Sequence, residues 1–243
     1  MKKALAAVIS IAIFIVLSYF FLTGSAPIDY LKGGNYTDPI TGEQYNHSVP
    51  QQYVEDTKND TGASNVVTAI VVEYRGFDTL GEVTVLFTAA TGLALLLDEL
   101  KRRTLPVVDP NFILKSAVKV VLPFIILVGA YIFIHGHLTP GGGFPGGAVI
   151  AAGFLLMILV HTTRGLPERK LSITESLAGI SYVLIGLLGL VFANEFLQNY
   201  LPLGNFTMLF SAGIIPLIYI AIGFKVGSEL GGIMHNLKGV HEE

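Results

Sequence analysis

Glu73, Arg75, Asp78 and Glu82 crowd the entrance to a stretch that is apolar to Leu97. Charge placed where a chain enters lipid costs free energy, so such groups have a partner or a task. Arg75, Asp78 and Glu82 stand at i, i+3 and i+7, on one face of a continuous helix. Two readings follow: a self-neutralising ion pair that lets the helix pack beside a partner, or a partly buried acidic site beside an ion route. Carboxylate oxygens suit either Na+ or a proton as cargo. Arg75 keeps its proton and would tune the acids rather than relay.

Other polar residues offer less. Lys115 and Lys119 lie one turn apart ahead of Pro123, which frees the carbonyl of Lys119. Counted from Phe112, Lys119 is ~10 Å into its helix. It either snorkels to the interface or faces a partner carboxylate, as lysines of proton relays do. His135 and His137 share no helical face and lack a third ligand nearby, which leaves structural or interfacial roles, or a proton path, and no metal site. Gly141, Gly142, Gly143, Gly146 and Gly147 surround Phe144 with Pro140 and Pro145, too many breakers for ordinary helix. The segment reads as a tight turn or a close backbone approach to a neighbouring subunit. It is no phosphate loop, for no Lys-Ser/Thr pair follows.

Ser172-x-x-Glu175 reads as a capping box opening a helix. Lys225 and Glu229 read as a modest i, i+4 pair near a helix end, and Pro216 as a kink. His161 is expected at an interface and Glu195 in solvent. No nucleophile–base–orienter set appears, so nothing argues for catalysis or a cofactor.

The elements that position these residues must be membrane helices. The chain is 52% hydrophobic and 14% charged, with mean hydropathy +0.64, against roughly a quarter charged in soluble domains. Apolar stretches at 4–23, 79–97, 117–134, 146–163, 177–197 and 206–226 each approach the ~20 residues that cross a bilayer. The expectation is an all-α integral membrane protein of about six transmembrane helices, multi-pass in the cell membrane. Residues 65–97 would span ~50 Å as one straight helix, so a break at Gly76 or Gly81 is expected. Residues 1–26 read as a retained anchor rather than a cleaved signal. Cysteine is absent, which excludes disulfides and thiolate sites; Trp is absent too, which leaves Tyr30, Tyr131, Tyr182 and Tyr200 as interface anchors. A net charge of −3 without a basic patch argues against nucleic acid.

Lys and Arg gather in alternate connections, which puts both termini in the cytoplasm and leaves one long exterior loop, 24–64. Sequons at Asn35, Asn46, Asn59 and Asn205 fall on the exterior side, as glycosylation candidates or chance matches.

Asn65-Val-Val-x-x-Ile-Val-Val-x-x-Arg75-Gly-Phe-Asp-Thr-Leu-Gly-Glu82 resembles a signature near the C-terminal end of the large A-type component of Mrp-type cation/proton antiporters. His137-x-Thr-Pro-Gly-Gly-Gly-Phe-x-Gly-Gly147 resembles that of their smaller B-type component, the MnhB/MrpB family. Residues 112–235 are similar to that four-helix MnhB/MrpB component. Residues 1–103 resemble the A-tail piece found as a separate small component, MbhE, of archaeal membrane-bound hydrogenases. The resemblance implies a two-helix segment over 1–103 and a four-helix domain over 104–243. It further implies a non-catalytic subunit of an Mrp-like Na+/H+ antiporter module, within an archaeal hydrogenase or sulfane-sulfur reductase or in a stand-alone antiporter. Other antiporter subunits, the lipid bilayer, and Na+ or H+ would be its partners. The chain lacks the many antiporter-like helices of a full A-type component, so it cannot hold that component's own proton channel. The ion-route candidates are then Glu73, Arg75, Asp78, Glu82 and Lys119. The subunit-contact or proton-path candidates are His135, His137 and the glycine-rich turn. A structural adaptor joining antiporter subunits to a redox arm is the alternative.

Overall fold

Apolar helices dominate a computed structural model that describes residues 11, 15, 36–37, 44–45, 49–100, 111–160 and 168–242. The chain divides into two units, Met1–Asp56 and Thr57–Glu243. In the first, β1 (Tyr36–Thr37) pairs antiparallel with β2 (Gln44–Tyr45), and α1 (Val49–Glu55) follows. The expected span 4–23 lies outside the described residues, save Ile11 and Ile15, which are helical and exposed.

The second unit opens with α2 (Thr57–Asp60) and α3 (Val66–Ala69), the latter capped by the Asn65 side chain, which accepts from the Val67 N–H. A π-helical turn, Ile70–Tyr74, leads into α4 (Gly76–Leu100). Then come α5 (Phe112–Ile134), α6 (Gly143–Val160), α7 (Glu168–Phe192) and α8 (Ile215–Glu242). Among the described residues, five helices are long and apolar enough to cross a membrane: Gly76–Leu97, Phe112–Ile134, Gly143–Val160, Arg169–Phe192 and Ile215–Leu237. The break expected near Gly76 falls at Arg75 (φ −131°, ψ 43°), whereas the helix runs unbroken through Gly81.

The helix α8 is the hub, packed on α4, α5, α6 and α7. Its Ile215, Ile218, Ile222 and Val226 recur at helical spacing and are fully buried. Glycine permits the close approach at two positions. A Cβ on Gly143 would lie 2.6 Å from Ile222 Cβ, and one on Gly147 2.7 Å from the Gly223 carbonyl.

Three helix boundaries differ from the hydropathy reading. The helix α6 starts at Gly143 rather than 146, because Pro145 sits in a first turn, where its missing N–H costs nothing. The helix α8 starts at Ile215 rather than 206. Phe206, Met208, Leu209 and Phe210 are apolar but form an exposed loop, in which Thr207 and Ala212 take left-handed conformations. Pro216 therefore lies in the first turn of α8 and does not mark a kink within it. Finally, α7 begins at Glu168 and ends at Phe192, so Ser172 and Glu175 lie inside it and form no capping box.

Candidate functional site

Two polar clusters stand out, one at the bundle end where α4 begins and one inside the bundle. At the first, the π turn sets the geometry. Arg75 N–H donates to the Ile70 carbonyl five residues back (2.8 Å), and the Thr79 hydroxyl donates to the Val71 carbonyl that the wider turn exposes. Such insertions re-aim side chains and recur at functional sites. Here the insertion turns Glu73 inward, where its Oε1 accepts from the Asn199 N–H (3.1 Å). Its Oε2 is buried with no hydrogen-bond partner among the described residues. Burial pushes the Glu73 carboxyl up to about 7 from 4.5; the Asn199 bond opposes this and the charge of Asp60 adds to it. The Asn199 amide holds the loop after α7: its Oδ1 accepts from Leu201 and Ile214 N–H at 3.1 and 3.2 Å. Gly213, at φ +54°, lies so close that any Cβ would overlap the Asn199 amide.

The other charges of this segment point outward. Arg75 and Asp78 form an ion pair at 2.7 Å, with side chains 58% and 51% exposed. Glu82 is exposed on α4 and acts electrostatically on Tyr182 and Tyr219. The structure thus separates the four: Glu73 is inside, and Arg75, Asp78 and Glu82 are on the outer face. Lys119 is exposed on α5 and pairs with no carboxylate among the described residues.

The segment 135–142 is clamped by this same end of the bundle. Asn65 Nδ2 donates to the carbonyls of Gly136 (2.9 Å) and Thr139 (3.1 Å), and the Thr68 hydroxyl donates to Gly136 as well (2.7 Å). Tyr219 of α8 donates to Thr68 at 2.9 Å. The close approach expected against a neighbouring subunit is therefore made within the chain. A Cβ on Gly136 would meet the Tyr219 ring at 2.7 Å, and Gly141, Gly142, Gly143, Gly146 and Gly147 each face α5 or α8. Phe144 stays exposed at 36%. His137 is fully buried; its ring nitrogens make no hydrogen bond among the described residues, and burial lowers its affinity for a proton. His135 stacks on Tyr131 at 4.2 Å. Asn59 and Asn205 are exposed, while Asn35 and Asn46 lie outside the described residues.

The second cluster is one that sequence reasoning passed over. Lys225 and Glu229 are 8% and 2% exposed, with Nζ 3.1 Å from Glu229 Oε2 and 3.7 Å from Glu175 Oε1 of α7. The Phe87 ring of α4 covers the ammonium, its centroid 5.1 Å from Nζ. Lys225 is ~15 Å along α8 from Ile215, near mid-membrane. The sequence signal was the i, i+4 spacing, read against a span ending at 226, which moved the pair to a helix end. Gly204, Asn205, Gly213 and Pro216 mark a turn followed by a helix start, and that punctuation corrects the frame.

This is a multi-pass helical membrane protein with ionisable groups inside its bundle. Residues 113–232 match the model of a domain related to the MnhB subunit of Na+/H+ antiporters, and residues 37–111 match MbhE, the E component of MBH. The B component of the Na+/H+ antiporter of Bacillus subtilis is 31% identical over 121 residues, 46% of this chain and 85% of that one. A chain of the membrane-bound sulfane sulfur reductase, an archaeal respiratory membrane complex, is 44% identical with TM-score 0.72, over 98% of both chains. The Mrp complex of Dietzia sp. shares the fold, with TM-score 0.64 at 23% identity; this chain is fully covered but spans 26% of that one. The chain belongs to the MnhB family of antiporter subunits, joined to a segment of the MbhE family.

Proposed function

We propose that this MnhB-type subunit is a non-catalytic membrane part of an Mrp-like Na+/H+ antiporter module, housed in an ion-pumping respiratory complex of the sulfane sulfur reductase kind. The end-to-end likeness to a chain of that archaeal complex carries the reading, since both the MbhE-like and the MnhB-like portions are present in this chain. The chain divides functionally at 103/104 and keeps both termini in the cytoplasm. Glu73, buried and half-protonated near neutral pH, serves as its proton carrier at the exterior end. Asp78 and Glu82 contribute oxygens on the outer face, where a partner subunit completes the route for Na+ or H+.

The exposed Arg75–Asp78 pair favours a second reading for those residues alone, a docking contact rather than a conductor. Asp78→Asn and Glu82→Gln separate the two: reduced Na+-coupled transport in an intact complex indicates a route, and a dissociated complex indicates docking.

The host is tested by gentle purification from native membrane and mass spectrometry of what accompanies the chain. Antiporter-like subunits together with iron–sulfur and redox subunits are expected. Antiporter subunits alone would make it part of a secondary exchanger, and recovery of the chain by itself would remove both assignments.

A further inference from the structure

The Lys225–Glu229–Glu175 cluster bears on which ion moves inside this chain, a question that rests on the reading of the subunit as part of an ion route. With all three groups ionised, the cluster holds one net negative charge in the apolar interior of the bundle, an expensive state. One proton on either carboxyl makes it neutral. Glu229 has the seat for it: Oε2 meets the ammonium at 3.1 Å, while Oε1 is buried with no hydrogen-bond partner among the described residues. Glu175 provides the mouth, since its side chain is 25% exposed against 1% for Glu229.

No other charge competes nearby. Lys225 and Glu175 are the charges that act on Glu229. The helix α6 carries no ionisable side chain at all. On α4 the facing group is Phe87, while Glu82 acts toward Tyr182 and Tyr219 nearer the other end. On α5, Lys119 is exposed, and Lys115 stands four residues before it, in the first turn of that helix. Further along α8, His235 is a turn and a half beyond Glu229.

We propose that Glu229, Lys225 and Glu175 form an intramembrane proton-exchange site, with Glu229 as the proton's seat, Lys225 as its fixed counter-charge and Glu175 as the exchange point with water. Loading forms one O–H bond on the Glu229 carboxylate, with the proton drawn from water through Glu175. Unloading breaks that bond and returns the proton by the same path, leaving Glu229 paired with the ammonium. A sodium ion does not fit, because it needs several oxygens and would sit beside an ammonium that already contacts both carboxylates. Among the described residues, no group of three His, Cys, Asp or Glu side chains could hold a metal ion.

The test is infrared difference spectroscopy on the purified complex, titrated between about pH 5 and pH 9 with deuterium exchange. The wild type is expected to show a protonated-carboxyl band that titrates in this range and disappears in Glu229→Gln. Lys225→Met, which removes the counter-charge, should move that titration to higher pH by about one unit or more. A wild-type complex with no titrating carboxyl band overturns the proposal whether or not either variant assembles. A band untouched by Glu229→Gln overturns it too. Failure of the host assignment shows up separately, as absent antiporter subunits or absent Na+-coupled transport in the same preparation.

Discussion

At the scale of single residues, Glu73 links burial to proton binding. Its carboxyl is pushed from 4.5 to about 7, chiefly by burial. Between those values the folded protein holds a proton that the unfolded chain has released, so this group's contribution to stability falls as pH rises and levels off above about 7. Glu73→Gln should remove that slope. Thermal unfolding of the two proteins from pH 4.5 to 8 should give curves that converge at the acid end and part toward neutral pH, with the wild type lower. Parallel curves would mean that Glu73 is ionised throughout. In the complex, the same variant should flatten any transport dependence near pH 7. Sequence spacing singled out Arg75, Asp78 and Glu82 by their common helical face, and these proved to be the outward-facing three. Glu73 was named with them but was out of phase. Only the π turn, whose signal is absent from residue periodicity, turns it inward.

At the scale of elements, the π turn and the glycine contacts are the parts that hydropathy could not forecast. The Thr79 hydroxyl completes the turn by satisfying the Val71 carbonyl, and Thr79 is buried. Thr79→Val should therefore cost about 1–3 kcal/mol, read from denaturation midpoints, because it leaves a polar group unmet. Glycine substitutions should split by surroundings. Gly147→Ala puts a methyl 2.7 Å from the Gly223 carbonyl and should destabilise the α6–α8 contact, by about 1–3 kcal/mol. Gly81→Ala meets nothing within 4 Å inside α4 and should be neutral or stabilise by up to about 1 kcal/mol. Equal effects of the two would refute the packing argument. The helices α4 and α5 were legible from hydropathy because their ends coincide with a glycine and with the Asn111 cap. The start of α8 was not, since exposed Phe206 to Phe210 are as apolar as the helix that follows. That single misplacement hid the depth of Lys225 and Glu229.

At the scale of the whole molecule, the helix α4 is the face left uncovered by its own chain. Only 11% of its most apolar window is buried within the chain, against 61% for α8. Lipid can cover Val85 and Phe87, but not Glu82, which is exposed ~9 Å into the helix from Gly76. An ionised carboxylate facing hydrocarbon at that depth costs several kcal/mol, roughly the range measured for charges in spanning helices. A partner subunit with a polar or basic surface therefore covers this face of α4. The chain has no cysteine, so Glu82→Cys would give a unique thiol for a direct measurement. In the lone chain, reconstituted in lipid, a water-soluble maleimide should reach that position, because water follows the neighbouring charges of Arg75 and Asp78 inward. In the assembled complex the same thiol should react many-fold more slowly, while a cysteine at exposed Asn205, in the loop after α7, reacts equally in both. Equal labelling of position 82 in the two states would place Glu82 on an open aqueous cavity, and the route past it would then belong to this chain without a covering partner.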